Sequence, residues 1–177
     1  MPAAWRAETV ADGATAATAF GALGEDSLQC SACEIISSKL YDELDSSFVR
    51  GFTGWSGETR LAKASSAFSK GCASIEGMQL AMAGNEGSRR FGHMDEFLKG
   101  GGAMGTLELK PKKFAVALQA VCVTLVEEAT ADVVALLSKR ARKKQRLLGL
   151  NLKGELCETR LRLCRSDEDE DEDKEEL

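Results

Sequence analysis

Apolar positions along the chain fall into four stretches of helical spacing, separated by segments rich in glycine. Asp26 or Ser27 suits a helix cap. After them Cys30, Cys33, Ile36, Leu40, Leu44 and Phe48 recur three and four residues apart, which predicts a first helix ending by Gly51 with both thiols on its buried face. A turn-rich link with Gly54, Trp55 and Gly57 follows, and Ser56 suits the next cap. Leu61, Ala64, Phe68, Cys72, Ile75, Met78 and Met82 then predict a second helix. Within it Gly71 and Gly77 each cost about 1 kcal/mol relative to alanine and mark a place to bend. Pro111 suits the first position of a third helix, whose stripe is Phe114, Leu118, Val121, Cys122, Leu125, Ala129, Val133 and Leu136. Its end carries Lys139, Arg140, Arg142, Lys143, Lys144 and Arg146, where the helix dipole favours cations. Asn151 suits the cap of a short fourth helix with Cys157, Leu161 and Cys164 on one face.

Between 84 and 112 the pattern breaks. Gly84, Gly87, Gly92, Gly100, Gly101, Gly102 and Gly105 make a continuous helix implausible, so a loop is expected. Short alternations at Arg89–Phe91 and Met104–Leu109 are able to pair as a small hairpin. Residues 1–25 are rich in alanine, threonine and glycine with no sustained apolar face and read as a mobile arm. Residues 166–177 read as a self-repelling, disordered acidic tail. The expected fold is therefore mainly all-α: a bundle of about four helices over 26–165, with a small β-hairpin in the 84–112 loop.

Composition narrows this picture without redirecting it. A chain of 177 residues fits one domain plus tails. Two prolines, one tyrosine and seven phenylalanines give little support for a many-stranded sheet. Charge or glycine interrupts every apolar run before the roughly 18 residues of a membrane span, so no stable membrane insertion is expected. Residues 167–176 hold nine acids and one lysine, which turns a net charge of −5 into +3 for the remainder. A mildly basic body with a strongly acidic tail argues against whole-protein affinity for nucleic acid.

Six cysteines fit disulfides in an oxidising compartment, although the same number serves metal or redox chemistry elsewhere. Of the 15 possible pairings, helix geometry favours a few. If the first and last helices lie antiparallel, Cys30 meets Cys164 and Cys33 meets Cys157, leaving Cys72 and Cys122 to join the second helix to the third. The rises between the paired cysteines, about 4.5 Å and 10.5 Å, do not match, so the axes must cross or one end must unwind. The last four residues, Lys174, Glu175, Glu176 and Leu177, resemble a Lys-Asp-Glu-Leu retrieval address. An acidic tail also ends this way by chance. Arg6, Glu8 and Asp12 break any signal-peptide core in residues 1–24, so the lumenal reading carries the expectation that the sequence starts downstream of its signal.

Taken together, Cys30-Ser31-Ala32-Cys33, Cys72, Ala120-Val121-Cys122 followed by Leu125-Val126-Glu127-Glu128, Leu156-Cys157, Leu163-Cys164 and the Lys-Glu-Glu-Leu ending resemble the canopy family, the MIR-interacting saposin-like proteins. The resemblance runs from about Leu28 to Leu177. It implies a saposin-like helical bundle with the same nested pairing, residence in the endoplasmic reticulum lumen, and work as an accessory folding factor. Implied partners are secretory or membrane client proteins, a larger lumenal chaperone and the retrieval receptor. The missing signal core and the glycine-rich middle loop depart from the family pattern.

Candidate chemistry is sparse, and no catalytic residue, cofactor or metal is expected. Cys30 and Cys33 have the spacing of a thioredoxin-type pair, but no strand precedes them and their helical spacing buries both sulfurs, so a structural role is preferred. Zinc lacks ligands, since His93 is the one imidazole. His93 with Asp95 and Glu96 has no nucleophile beside it, and Gly100–Gly102 lacks a phosphate-binding lysine. The basic run Lys139–Arg146 reads as a solvated helix end before it reads as a nuclear signal or anion patch. Asp167, Asp169, Asp171 and Asp173 are able to hold Ca²⁺ weakly. Three functions follow: a non-enzymatic lumenal folding factor acting by its surface, a saposin-like lipid binder, and a thiol-disulfide oxidoreductase using Cys30 and Cys33.

Overall fold

The structure, a computed structural model, describes residues 15–99 and 105–165. It is mainly helical, with a small three-stranded sheet and three disulfides. Helix α1, Ala16–Gly21, starts at Thr15, whose side chain accepts the Thr18 backbone N–H. It buries Ala16, Ala19 and Phe20, and Leu23 follows into the core. The Ala16 N–H donates to Glu128 Oε1 at 2.7 Å. The expected mobile arm over 1–25 is thus corrected from residue 15 onward, because four apolar residues at spacings of 3, 1 and 3 form one helical face. Residues 1–14 lie outside the described residues.

The first predicted helix is two. α2 spans Asp26–Asp42 and α3 spans Ser46–Phe52. Asp45 causes the restart, its carboxylate accepting the Phe48 N–H at 2.8 Å as an N-cap. α4, Gly57–Ile75, is capped by Ser56, which accepts from the Thr59 N–H at 3.2 Å. It buries Ala64, Phe68, Cys72 and Ile75, while Leu61, assigned to the same stripe from sequence, is 42% exposed. The helix ends before Gly77 and does not continue to Met82.

Met82 belongs instead to β1, Leu80–Gly84, the central strand of the sheet. It pairs antiparallel with β2, Arg90–His93, and on its other side with β3, Thr106–Leu109. The expected hairpin between the two alternating stretches is therefore corrected: both form strands, and β1 lies between them. Met82 faces Phe91 in one register and Glu108 in the other. Leu80 and Met82 join the main core, whereas Ala81 and Ala83 pack in a satellite cluster with Phe97 of α5, Met94–Lys99. A strand covered on both faces reads as a continuous apolar run, not as an alternation.

α6, Lys112–Arg142, is about 46 Å long at 1.5 Å per residue and runs through the core against α1 and α4. Pro111 stands at its N-cap, one position before the expected one. A 3₁₀ turn at Leu147–Gly149 and a π-helical segment at Gly154–Arg160 are the last elements among the described residues. Asn151 Oδ1 accepts the Gly154 N–H at 3.0 Å at the entry to the latter. No helix among the described residues is long and apolar enough to cross a membrane.

Candidate functional site

All six cysteines are bonded, Cys30 to Cys164, Cys33 to Cys157 and Cys72 to Cys122. Cys30 and Cys33 share a face of α2 but are not bonded to each other. The unequal rises along the two segments are accommodated by unwinding. The last helical segment ends at Arg160, Arg162 adopts a left-handed φ of 52°, and the N–H groups of Leu163 and Cys164 both donate to the Cys157 carbonyl. Cys164 therefore reaches Cys30 from non-helical chain, which corrects its expected place on a helical face with Cys157.

The three bridges differ in their surroundings. Cys33, Cys157, Cys72 and Cys122 are at most 1% exposed, with Ser37 Oγ 3.9 Å from Cys157 Sγ. Cys30 and Cys164 are half-buried. Glu34 Oε1 lies 3.8 Å from Cys30 Sγ and 2.8 Å from Lys153 Nζ. Glu34 also closes a cysteine–carboxylate group with Cys30 and Cys164, but both sulfurs are spent on each other, so neither offers a metal the thiolate it would need.

An open groove of about 300 Å³ begins beside this bridge, between Glu34, Ser37, Ser38 and Tyr41 of α2 and residues 150–153. At its far end Tyr41 Oη donates to the Leu148 carbonyl at 2.6 Å, which ties the end of α2 to the 3₁₀ turn that follows the basic end of α6. Lys139, Arg142, Lys143, Lys144 and Arg146 are exposed there, and Arg140 donates through Nε to the Arg146 carbonyl at 2.9 Å. Inside the bundle, the space between Leu40, Phe68, Leu125 and Leu156 is about 10 Å³, room for one water at most.

At the opposite end of α2, Glu25 joins the helices to the sheet. Its carboxylate accepts the Gly87 N–H at 2.9 Å and the Arg89 N–H at 3.2 Å, and it pairs with Arg89 Nε at 3.0 Å. The Arg89 side chain first, then the Gly87 N–H, hold the carboxyl at a pKa of about 2. The guanidinium is raised above its ordinary value in return, with the same hydrogen bond as the largest cause. Their pairing carried no signal in the sequence, because the partners are 64 residues apart.

His93 ends β2 with its Nδ1 3.7 Å from an Asp95 carboxylate oxygen and accepts the Asp95 N–H at 3.3 Å. Glu96 lies on α5 near Gly92. Gly100–Gly102, the candidate Ca²⁺ ligands Asp167, Asp169, Asp171 and Asp173, and the retrieval-like residues Lys174, Glu175, Glu176 and Leu177 lie outside the described residues. No protein-family model, no curated protein and no solved structure matches this chain.

Proposed function

We propose that this chain is an accessory folding factor of the canopy type, a saposin-like protein of the endoplasmic reticulum lumen that engages clients or a larger chaperone through its surface. The observation that carries the reading is the closed frame of three disulfides, which ties the first long helix to the end of the fold and leaves no cysteine free. Such a frame persists in an oxidising compartment. The Lys174–Leu177 ending, which resembles the Lys-Asp-Glu-Leu retrieval address, supports the lumenal reading. A surface mode of action agrees with a groove and a basic helix end open to solvent, and with the tight packing between Leu40, Phe68, Leu125 and Leu156.

The experiment gives the chain a secretory signal and compares it with a form lacking Lys174–Leu177 in cultured cells. Retention of the full chain and secretion of the shortened one are expected, with client proteins recovered by lumenal crosslinking to the retained form only. Equal secretion of the two removes the lumenal reading.

A further inference from the structure

Thiol-disulfide exchange depends on access to a sulfur and on the charge around it. Two of the three bridges offer no access, as their four sulfurs belong to the buried core. The Cys30–Cys164 bridge differs on three independent counts. Both its cysteines are half-buried. Cys164 sits on irregular chain between Arg162, which has left-handed φ, and the exposed Arg165. The Lys153 ammonium stands one carboxylate away from Cys30 Sγ, through Glu34.

We propose that the Cys30–Cys164 bridge is a thiol-disulfide exchange site for dithiols, which opens ahead of the other two bridges and releases residues 161–165 from the body. One thiolate of the dithiol attacks Cys164 Sγ, the S–S bond breaks, and its electron pair leaves on Cys30 Sγ, which takes up a proton. The second thiol of the dithiol then attacks the sulfur of the first and displaces Cys164 as a thiol. The dithiol departs as a disulfide, oxidised by two electrons, and the bridge is reduced to two thiols. Lys153 offsets the Glu34 carboxylate at the point where negative charge arrives, and is a positioning residue in this step.

Opening stops at Arg160, because that side chain is anchored on α6 by an ion pair with Asp132 and a hydrogen bond to the Glu128 carbonyl at 3.0 Å. Residues 161–165 hold to the body through the Leu161 N–H bond to the Leu156 carbonyl, the two N–H bonds from Leu163 and Cys164 to the Cys157 carbonyl, and the partly buried Leu161 and Leu163. The exchange site is thus Cys30 with Cys164, not the Cys30-Ser-Ala-Cys33 pair that the sequence spacing brings forward, and it stands apart from any lumenal role.

The test treats the native, fully oxidised chain with stepwise dithiothreitol, quenches with iodoacetamide and maps the label by peptide mass. Cys30 and Cys164 are expected to be labelled at least about tenfold faster than the other four cysteines, with helical circular dichroism unchanged. Trypsin should at that stage cut faster after Arg162 and Arg165 while α6 stays intact. Simultaneous labelling of all six, or earlier labelling of Cys72 and Cys122, overturns the proposal. A Lys153→Gln chain should open several-fold more slowly and Lys153→Arg should restore the rate. An unchanged rate in Lys153→Gln takes Lys153 out of the site.

Discussion

Glu25 Oε1 and Arg89 Nε lie 3.0 Å apart across the join between α2 and the turn that leads into β2. Two backbone N–H groups, from Gly87 and Arg89, point at the same carboxylate, so the turn is organised by a charge delivered from a helix end. The carboxyl is held at about 2, below its ordinary 4.5, so its contribution to stability is fully present above pH 4.5 and is lost as pH falls through 2. Urea midpoints of the native chain should therefore fall across that window. Glu25→Gln should lower the midpoint at neutral pH and flatten the acid slope. Parallel acid slopes for the two chains would rule out this assignment. Both side chains reach solvent, 22% and 36% exposed, so added salt should narrow the neutral-pH difference.

A few residues further along α2, Ser31 makes the second join. Its hydroxyl is buried, donates to the Leu28 carbonyl at 3.0 Å and accepts the Phe91 N–H at 2.8 Å. Ser31→Ala leaves that N–H of β2 without its partner inside the protein, at a cost of about 1–3 kcal/mol. Chemical denaturation reads the loss, and hydrogen exchange should place it in Arg90–His93 with α6 unaffected. Equal protection of β2 in both chains would discard the account.

How far these features were legible in the sequence depends on the period and size of the residues that carry them. The stripes through Phe68, Cys72 and Ile75 and through Phe114, Leu118, Cys122 and Leu125 stand out because large side chains recur at one face of a helix. Leu80–Gly84 did not, since Met78 and Met82 prolong the helical spacing into it and a strand buried on both faces has no alternation to detect. Leu44 and Phe48 likewise carried the first stripe across the break that Asp45 imposes. At the candidate exchange site the cysteines were visible and their spacing predicted a mismatch. Glu34 and Lys153 were not visible, because only tertiary folding brings α2 beside residues 150–153.

Phe20 tests how firmly the N-terminal helix belongs to the fold. It is fully buried in the main core, and α1 packs against α6, yet its neighbours in sequence are mostly alanine, threonine and glycine. Phe20→Ala should destabilise the chain by about 3–5 kcal/mol, as for other buried aromatics. A chain beginning at Gly24 should lose at least as much. If denaturant midpoints of either variant match those of the full chain, α1 is an appendage and contributes no packing energy.

Gly71 and Gly77 separate helix propensity from packing, since the sequence alone ranks them equally. Alanine in place of a helical glycine gains about 1 kcal/mol where space allows. At Gly71 space does not allow it. An added Cβ would stand 2.9 Å from the Lys39 carbonyl oxygen of α2, with Glu43 Cγ at 3.3 Å, so α4 and α2 would have to move apart. Overpacking of that kind costs about 1–3 kcal/mol, and because a backbone carbonyl cannot swing aside, the cost outweighs the propensity gain. Gly71→Ala should therefore destabilise by up to about 2 kcal/mol. Gly77 lies in the turn after α4 with nothing within 4 Å of an added Cβ and without positive φ. There alanine restricts the unfolded chain without strain, and Gly77→Ala should stabilise by about 0.4–1 kcal/mol. Opposite signs in urea denaturation are the expected result. Stabilisation by Gly71→Ala would mean that α2 and α4 are not in the close contact described.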